Sequence, residues 1–254
     1  MKHYERFIDL GCFSQDDVEK ITGNKETAHS IIQSYKKKGL IQSVKRDLFV
    51  AMSLETKQPI MSRYAIASHI AVGAYITCHS AFEYYGFANQ VYYEVYVASK
   101  ARFRTFEYDG VTYRHVSPPF DAGVETHKDG VRVTDVERTV IDAINDFEQI
   151  GGLEELLRCL DLTPFVDHLK LMAYLTAYNK GFLYQKAGYI LEYYKKSLQL
   201  PESFFTACQS RIPKGKRYFY QKLQQESHIL SKNWKLYVPK NLLSVTRKGG
   251  AYVE

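Results

Sequence analysis

The clearest pattern of apolar and polar positions lies between Ser14 and Val50. Val18 and Ile21 give a first short helix an apolar edge. A second apolar series has the i, i+3, i+4, i+7 spacing of one buried helix face: Ala28, Ile31, Ile32 and Tyr35. Two segments with strand character, 40–44 and 48–50, then predict a hairpin with Lys45-Arg46-Asp47 at its tip. A preceding helix at 3–10 is expected to pack beneath them.

Local signals place the ends of these helices. Ser14 is a good N-cap, and Asp17 stands at the capping-box position, although Asp is weaker there than Glu. Gly23 is free to adopt a positive φ between the helices, and Asn24 is placed to cap the second one. Gly39 ends that helix. Helix, turn, helix and hairpin in this order are typical of a winged helix-turn-helix, which we predict for residues 1–60.

The remainder, 61–254, is predicted to be a larger mixed domain with antiparallel strands, so the fold class is α+β. Its strand-rich part, 71–133, follows a short helix at 62–68 and includes a helix at 79–86 that ends at Gly86. Asp109-Gly110 is a tight-hairpin signal within this part. Strands are expected at 92–99, 102–108, 111–116, 124–127 and 131–133, after a strand or buried connection at 71–77.

Residues 134–210 are predicted to be helical, and 211–254 form a basic C-terminal segment. Helices are expected at 134–144, 152–161, 165–178, 181–198 and 202–210, and strands at 235–238 and 242–245. Thr134 and Glu137 are expected to cap the first of these helices. Arg138 and Asp142 lie four residues apart on it, which favours an ion pair over a catalytic pair.

Composition fits a globular protein that can form a core, with 45% hydrophobic residues and 21 tyrosines. No apolar run has the length of a membrane span, and the N-terminus lacks the apolar core of a signal peptide, so we expect a cytoplasmic protein without membrane partners. The four scattered cysteines indicate buried free thiols in a reducing compartment. Their spacing favours no metal site, and no cofactor is expected.

Charge is distributed unevenly within the net +6. Residues 24–50 hold six Lys or Arg against two acids, and 211–254 hold ten against two. Such a distribution suits nucleic acid or an acidic partner. The second concentration contains a candidate phosphate-binding surface, formed by Arg211, Lys214, Lys216, Arg217 and Lys222. A solvated tail that keeps the protein soluble is the alternative interpretation.

The polar face of the second helix supplies the candidate DNA-reading residues. His29, Ser30 and Gln33 can bond to base edges, and the flanking basic side chains suit phosphates. The full set is Lys25, Glu26, Thr27, His29, Ser30, Gln33, Lys36 and Lys37 on the helix and Lys45 and Arg46 at the hairpin tip. A protein-interaction module with the same elements is the alternative. In that case the three consecutive lysines at 36–38 are a solvated helix end, favoured there by the helix dipole.

Enzyme motifs are missing from the sequence. It contains no Walker loop, Rossmann glycine pattern, nucleophile elbow or HExxH. His79 and Ser80 are adjacent, but Ser80 is also a good N-cap. Glu94 and Lys100 do not have the spacing of a nuclease pair on one strand face. We therefore predict no catalytic residue.

Four stretches together resemble the AbiEi antitoxins of bacterial type IV toxin–antitoxin (abortive infection) systems. They are HSAFEYYGF at 79–87, YYEVYV at 92–97, VTDVERTVIDAI at 133–144, and Ala187-Gly188-Tyr189-Ile190-Leu191-Glu192. With the N-terminal motif, the resemblance covers most of the chain.

The resemblance implies a phage-defence protein that represses its own operon. It would bind inverted repeats in double-stranded operator DNA cooperatively and bend them, and we expect a monomer in solution. Its C-terminal domain would counteract a nucleotidyltransferase-like toxin without a stable complex. Two alternatives stay open, an orphan winged-helix regulator whose second domain senses a ligand or protein, and an interaction protein whose helical half binds a partner.

Overall fold

A computed structural model describes residues 3–240 and residue 242. The described chain is a mixed α+β protein that divides into two compact units. Unit 1 contains the residues up to Ser80, Tyr92–Pro118 and Val124–Val133. Unit 2 contains Ala81–Val91, Pro119–Gly123 and the residues from Thr134 onward. No helix in the described residues is long and apolar enough to cross a membrane.

Unit 1 begins with three helices and a three-stranded antiparallel sheet of order β1-β3-β2. The expected helices and hairpin are present, together with a short strand at Cys12–Phe13 that the sequence pattern does not predict. The elements are α1 (Tyr4–Leu10), β1 (Cys12–Phe13), α2 (Gln15–Thr22), α3 (Lys25–Lys37), β2 (Ile41–Lys45) and β3 (Leu48–Ala51).

The predicted helix caps are present. The Ser14 hydroxyl accepts a hydrogen bond from the Asp17 amide at 3.2 Å, and the Asp17 carboxylate accepts one from the Ser14 amide at 2.9 Å. Partial burial works against the charged carboxylate, but the bonds from Ser14 and the nearby Lys20 ammonium lower the pKa of Asp17 below its usual value. Gly39, with φ of 68°, ends α3 in a Schellman motif, in which the Leu40 amide donates to the Tyr35 carbonyl.

Aromatic packing joins the helices to the sheet. Phe7 is fully buried, stacks on Phe13 at 4.7 Å between ring centroids, and meets Tyr35 edge-on at 5.6 Å. Val18, Ala28, Ile32, Leu40, Ile41, Phe49 and Ala51 belong to the same core. Each apolar position predicted for the inner face of α3 is buried or partly buried here, which leaves its polar face outside.

The rest of unit 1 is a six-stranded sheet of order β6-β7-β5-β4-β9-β8. Its elements are α4 (Arg63–Ser68), β4 (Tyr75–Ile76), β5 (Glu94–Ala98), β6 (Phe106–Tyr108), β7 (Val111–Val116), β8 (Val124–Thr126) and β9 (Arg132–Thr134). Helix α5 (Cys78–Tyr85) follows β4, and its residues from Ala81 onward belong to unit 2. Within unit 1, the Tyr108 hydroxyl on β6 donates to Gln42 Oε1 on β2 at 2.9 Å. The boundary predicted near residue 60 thus falls inside unit 1, and the division at that point stays a prediction.

The expectation of purely antiparallel strands is wrong for this sheet. Strands β5 and β7 are parallel, as are β4 and β9. The β6–β7 hairpin turns at Asp109 and Gly110, which both have positive φ, as predicted. The segment between β5 and β6 carries the chain to the sheet edge, so β6 runs back along that edge and β7 returns beside β5 in the same direction.

Unit 2 consists of helices and a small mixed sheet of order β10-β12-β11. Leu242 is the one residue of the strand predicted at 242–245 that the structure describes. The elements are α6 (Val136–Asn145), α7 (Leu153–Leu162), α8 (His168–Tyr178), α9 (Gly181–Tyr193), α10 (Glu202–Gln209), β10 (Arg217–Tyr218), β11 (His228–Ser231) and β12 (Leu236–Pro239).

Two predicted caps are wrong. Helix α6 is capped by Asp135, whose Oδ1 accepts the Arg138 amide at 2.7 Å, because Thr134 is the last residue of strand β9. Ser80 lies inside α5 rather than at its start. Its hydroxyl instead accepts a hydrogen bond from the amide of Tyr96, in the middle of strand β5, at 3.0 Å.

Trp234 anchors the small sheet of unit 2 on helix α9. The indole is fully buried and donates to Glu192 Oε2 at 2.6 Å. Gln185 donates to the Trp234 carbonyl at 3.0 Å. A Cβ atom on Gly188 would lie 2.0 Å from indole Cζ3, so α9 requires glycine at this point.

We expect Gly188→Ala to lower the free energy of unfolding by about 1–3 kcal/mol, because the added Cβ would overlap the buried indole, which must shift to admit it. Trp234 is the single tryptophan of the chain, so its fluorescence emission reports on this contact directly and should shift to the red. Gly215→Ala is the matched control, since its Cβ would meet no atom within 4 Å. Unchanged stability and unchanged emission in Gly188→Ala would contradict the close packing of Trp234 on Gly188.

Candidate nucleic-acid interface

The outer face of α3 carries the candidate base-reading side chains. His29, Ser30 and Gln33 are all exposed, as are Lys25, Glu26, Thr27, Lys36 and Lys37. Within the described part of the chain, the side chains of His29, Ser30 and Gln33 form no hydrogen bond or ion pair. Asn24 caps the helix by accepting the Thr27 amide at 2.9 Å. The structure thus places these residues together on one accessible helix face.

The hairpin tip presents Arg46 to solvent, with Lys45 half-buried beside it. Asp47, at the same tip, has φ of 57°, and its Oδ1 accepts the Gln15 amide at 2.9 Å. That amide is in the first turn of α2, where a carboxylate is favoured by the unpaired N–H groups and the helix dipole. The tip thus carries two basic side chains and one acid, and the acid is hydrogen-bonded to the start of α2.

The bond between Asp47 and Gln15 positions the hairpin relative to α2. The sequence places Asp47 in the tip but does not indicate this role, because its partner lies 32 residues away. On the other side of the hairpin, Lys36 Nζ lies 6.0 Å from the centroid of the Phe49 ring on β3, so the lysine stem follows the hairpin surface.

We expect Asp47→Ala to lower the free energy of unfolding by about 0.5–2 kcal/mol, as when other helix caps are removed. The Gln15 amide should also exchange its hydrogen with solvent faster. Asp47→Asn is the matched control, because Asn tolerates a positive φ and its amide oxygen can still accept this hydrogen bond. Equal Gln15 exchange rates in wild type and Asp47→Ala would show that the bond does not hold the tip.

The second basic surface is spread over several elements of unit 2. All five of its members are exposed, but Arg211 donates to Thr176 Oγ1 at 2.7 Å and to the Tyr184 hydroxyl at 2.8 Å. Arg217 lies over Phe182, with its guanidinium carbon 5.4 Å from the ring centroid. The remaining three, which have no hydrogen bond or ion pair among residues 3–240 and 242, are Lys214, Lys216 and Lys222. Their contact with phosphates stays a prediction.

The predicted ion pair within the resemblance motif is present and buried. Arg138 Nε donates to both carboxylate oxygens of Asp142, at 2.8 and 2.9 Å. The guanidinium also donates to the Ala122 carbonyl and lies 3.7 Å from the centroid of the Phe120 ring. Burial raises the pKa of the Asp142 carboxyl, while Arg138 and the hydroxyl of Tyr178 oppose that rise.

Two other acidic side chains at the start of α6 also accept hydrogen bonds within unit 2. The Asp135 carboxylate accepts the Tyr174 hydroxyl at 2.5 Å and the Lys170 ammonium at 3.2 Å. Glu137, predicted as a capping-box residue, accepts the Asp167 amide at 2.8 Å. These contacts join α6 to α8 and to 119–123, all within unit 2, and they give the motif a structural role.

The residue pairs that the sequence analysis weighed as catalytic, Glu94 with Lys100 and His79 with Ser80, lie in unit 1. Glu94 forms an exposed ion pair with Arg114 at 2.6 Å, and this hydrogen bond lowers the pKa of the Glu94 carboxyl. His79 stacks on Tyr92 with 4.0 Å between ring centroids. The Ser80 hydroxyl accepts a hydrogen bond from the Tyr96 amide of β5.

We expect Arg138→Met to lower the free energy of unfolding by about 3–5 kcal/mol, because Asp142 would remain buried without its cation. Arg158→Met is the matched control. It removes the arginine of another i, i+4 pair, in which both side chains are exposed and lie 4.0 Å apart, and should cost under about 1 kcal/mol. Similar denaturant midpoints for the two variants would contradict the structural role of Arg138.

Comparisons with known proteins identify a shared fold. No protein-family model matches this chain, and no curated protein matches it. Among solved structures, it is similar to the crystal structure of the RV2827C protein from Mycobacterium tuberculosis, with a TM-score of 0.63 and 13% sequence identity. The match covers 94% of this chain and 89% of that chain. At this identity the similarity concerns the fold alone.

Proposed function

We propose that this protein is a sequence-specific DNA-binding repressor whose first three helices and three-stranded sheet form a winged helix-turn-helix. The observation that supports this proposal is the outer face of α3, where the side chains of His29, Ser30 and Gln33 are exposed and form no hydrogen bond or ion pair with the described residues. An exposed polar face on a firmly packed helix is what a reading helix needs.

In the proposed complex, α3 enters the major groove by its N-terminal half. The groove is wide enough to admit one helix, and each base pair presents a distinct pattern of donors and acceptors there. Gln33 is suited to adenine, and Ser30 to either kind of partner. Lys36 and Lys37 near the end of α3, with Lys45 and Arg46 on the hairpin, contact the phosphate backbone and set the register.

We further propose that the operator belongs to the protein's own operon and that the protein is the antitoxin of a type IV system in the cytoplasm. This part rests on the resemblance of the stretches at 79–87, 92–97, 133–144 and 187–192 to AbiEi antitoxins. Two of those stretches have structural roles in this chain, through Arg138 and Gly188. The partner would be a nucleotidyltransferase-like toxin, counteracted without a stable complex.

We expect Gln33→Ala or Ser30→Ala to weaken binding to the protein's own promoter by about 1–3 kcal/mol, with a much smaller effect on DNA of arbitrary sequence. The reason is that alanine cannot bond to a base edge. Lys45→Ala and Arg46→Ala should instead weaken binding to both DNAs equally and reduce its salt dependence, because phosphate contacts carry no sequence information. Fluorescence anisotropy with both duplexes measures each effect.

Equal weakening on both DNAs for Gln33→Ala would refute base reading by α3. The same variant tests the antitoxin proposal in cells that also express the proposed toxin, a nucleotidyltransferase whose gene we expect beside this one. Repression should fall while protection from the toxin persists, since the variant leaves unit 2 unchanged. If even the wild type gives no protection but still represses, the protein is a regulator whose second unit has another role.

A further inference from the structure

The segment between β5 and β6 forms a basic cleft that the proposed reading helix does not explain. The cleft has a volume of about 700 Å³ and belongs entirely to unit 1. None of its lining residues is acidic, and they are Arg102, Phe103, Arg104, Thr105, His115 and Ser117. The sequence predicts a simple strand from residue 102, but β6 begins only at Phe106.

Internal contacts hold the segment in shape. His115 Nε2 donates to the Ser99 carbonyl at 3.0 Å, and the Ser99 hydroxyl donates to the Ala101 carbonyl at 2.8 Å. Phe103 meets the rings of His115 and Phe106 edge-on, with centroids 5.2 and 6.1 Å apart. The cleft is therefore built by packing and hydrogen bonds.

The arginines beside Phe103 are both exposed, whereas Phe103 itself is half-buried. Neither Arg102 nor Arg104 makes a hydrogen bond or an ion pair with any residue among 3–240 and 242. The hydroxyls of Thr105 and Ser117 are likewise without a hydrogen-bond partner in that range. Two guanidinium groups and two hydroxyls thus border one cleft with their donors unused.

We infer that this cleft binds phosphate groups of the DNA backbone, as a second contact beside the reading helix. Guanidinium groups bind phosphate with paired N–H donors, and Ser and Thr hydroxyls are common phosphate partners. Sites for small ligands are usually apolar and bury most of the ligand. This cleft is instead polar and has exposed arginines at its border, which suits an extended chain of phosphates.

The position of the cleft within unit 1 supports this assignment, which rests on the proposed function. The segment leads directly into β6, and Tyr108 on β6 donates to Gln42 on β2. Strand β2 is one arm of the hairpin that carries Lys45 and Arg46 at its tip. The segment that lines the cleft is thus continuous with a strand that contacts the hairpin, and we expect DNA that extends past the reading helix to reach it.

The test is a salt titration of the full chain on a duplex of arbitrary sequence and on the promoter fragment. We expect R102Q/R104Q to bind both DNAs more weakly by the same factor and to reduce the slope of log K against log salt by about 1.8, or 0.9 for each phosphate that is no longer neutralised. R102K/R104K should restore most of the slope, because lysine supplies the charge, although as a point charge without paired donors.

K57Q/K128Q is the matched control, since it removes two exposed lysines of unit 1 that do not line the cleft. Its slope should equal that of the wild type, and thermal melting verifies that every variant is folded. A wild-type slope in R102Q/R104Q, while Gln33→Ala still weakens promoter binding more than binding to arbitrary DNA, would overturn the cleft assignment and leave the proposed function intact.

Two other outcomes overturn the inference in different ways. Failure of the wild-type protein to bind either duplex would remove the proposed function and the cleft assignment together. Calorimetric titration with inorganic phosphate provides the last distinction. Binding of free phosphate that requires Arg102 and Arg104, combined with an unchanged DNA slope, would assign the cleft to a small anion instead of DNA.

Discussion

A fully buried guanidinium constrains the architecture of unit 2 more than any other group described in it. Arg138 cannot lose its charge, so each direction in which it points must offer an acceptor or an aromatic face. Asp142 provides the carboxylate, Ala122 a carbonyl and Phe120 a ring. Arg138 thus links the short stretch at 119–123 to helix α6, and the tyrosines of α8 complete the network.

Three tyrosines of unit 2 meet the same requirement at buried acceptors. A buried acceptor needs a donor, and a tyrosine supplies one at the end of an otherwise apolar ring. Tyr174 and Tyr178 donate to the acids of α6, and Tyr194 donates to the Leu157 carbonyl at 3.0 Å. Burial raises the pKa of Tyr174, which keeps its proton available for this bond. The tyrosines thus act as internal hydrogen-bond donors within a core that stays largely apolar.

The elements best predicted from the sequence are those whose causes are local. The helix ends at Ser14, Gly23 and Gly39 depend on residues three to five positions away, and the structure has all three. The β6–β7 turn and the ion pair of α6 are predictable for the same reason. The polar face of α3 likewise follows from helical spacing alone, because packing of the opposite face determines it.

Features that depend on distant partners escape prediction. Strand β1 is only two residues long and exists through pairing with β3, in the register of Cys12 with Val50. The parallel pairing of β5 with β7 depends on the path of the intervening segment. The assignment of the α6 cap to Thr134 is wrong because β9 extends to that residue. The basic cleft does not follow from the sequence because the local pattern around its two arginines predicts a strand.

The division of the chain into units has a consequence for synthesis on the ribosome. Every strand of the six-stranded sheet has been made by residue 134, so the sheet can assemble early. The stretches Ala81–Val91 and Pro119–Gly123 emerge in the same interval, but they belong to unit 2. They must wait for α6 and the helices after it. Phe120 and Ala122 therefore remain without their arginine until Arg138 has been added, and the growing chain passes through a stage in which these groups are open to solvent or to a chaperone.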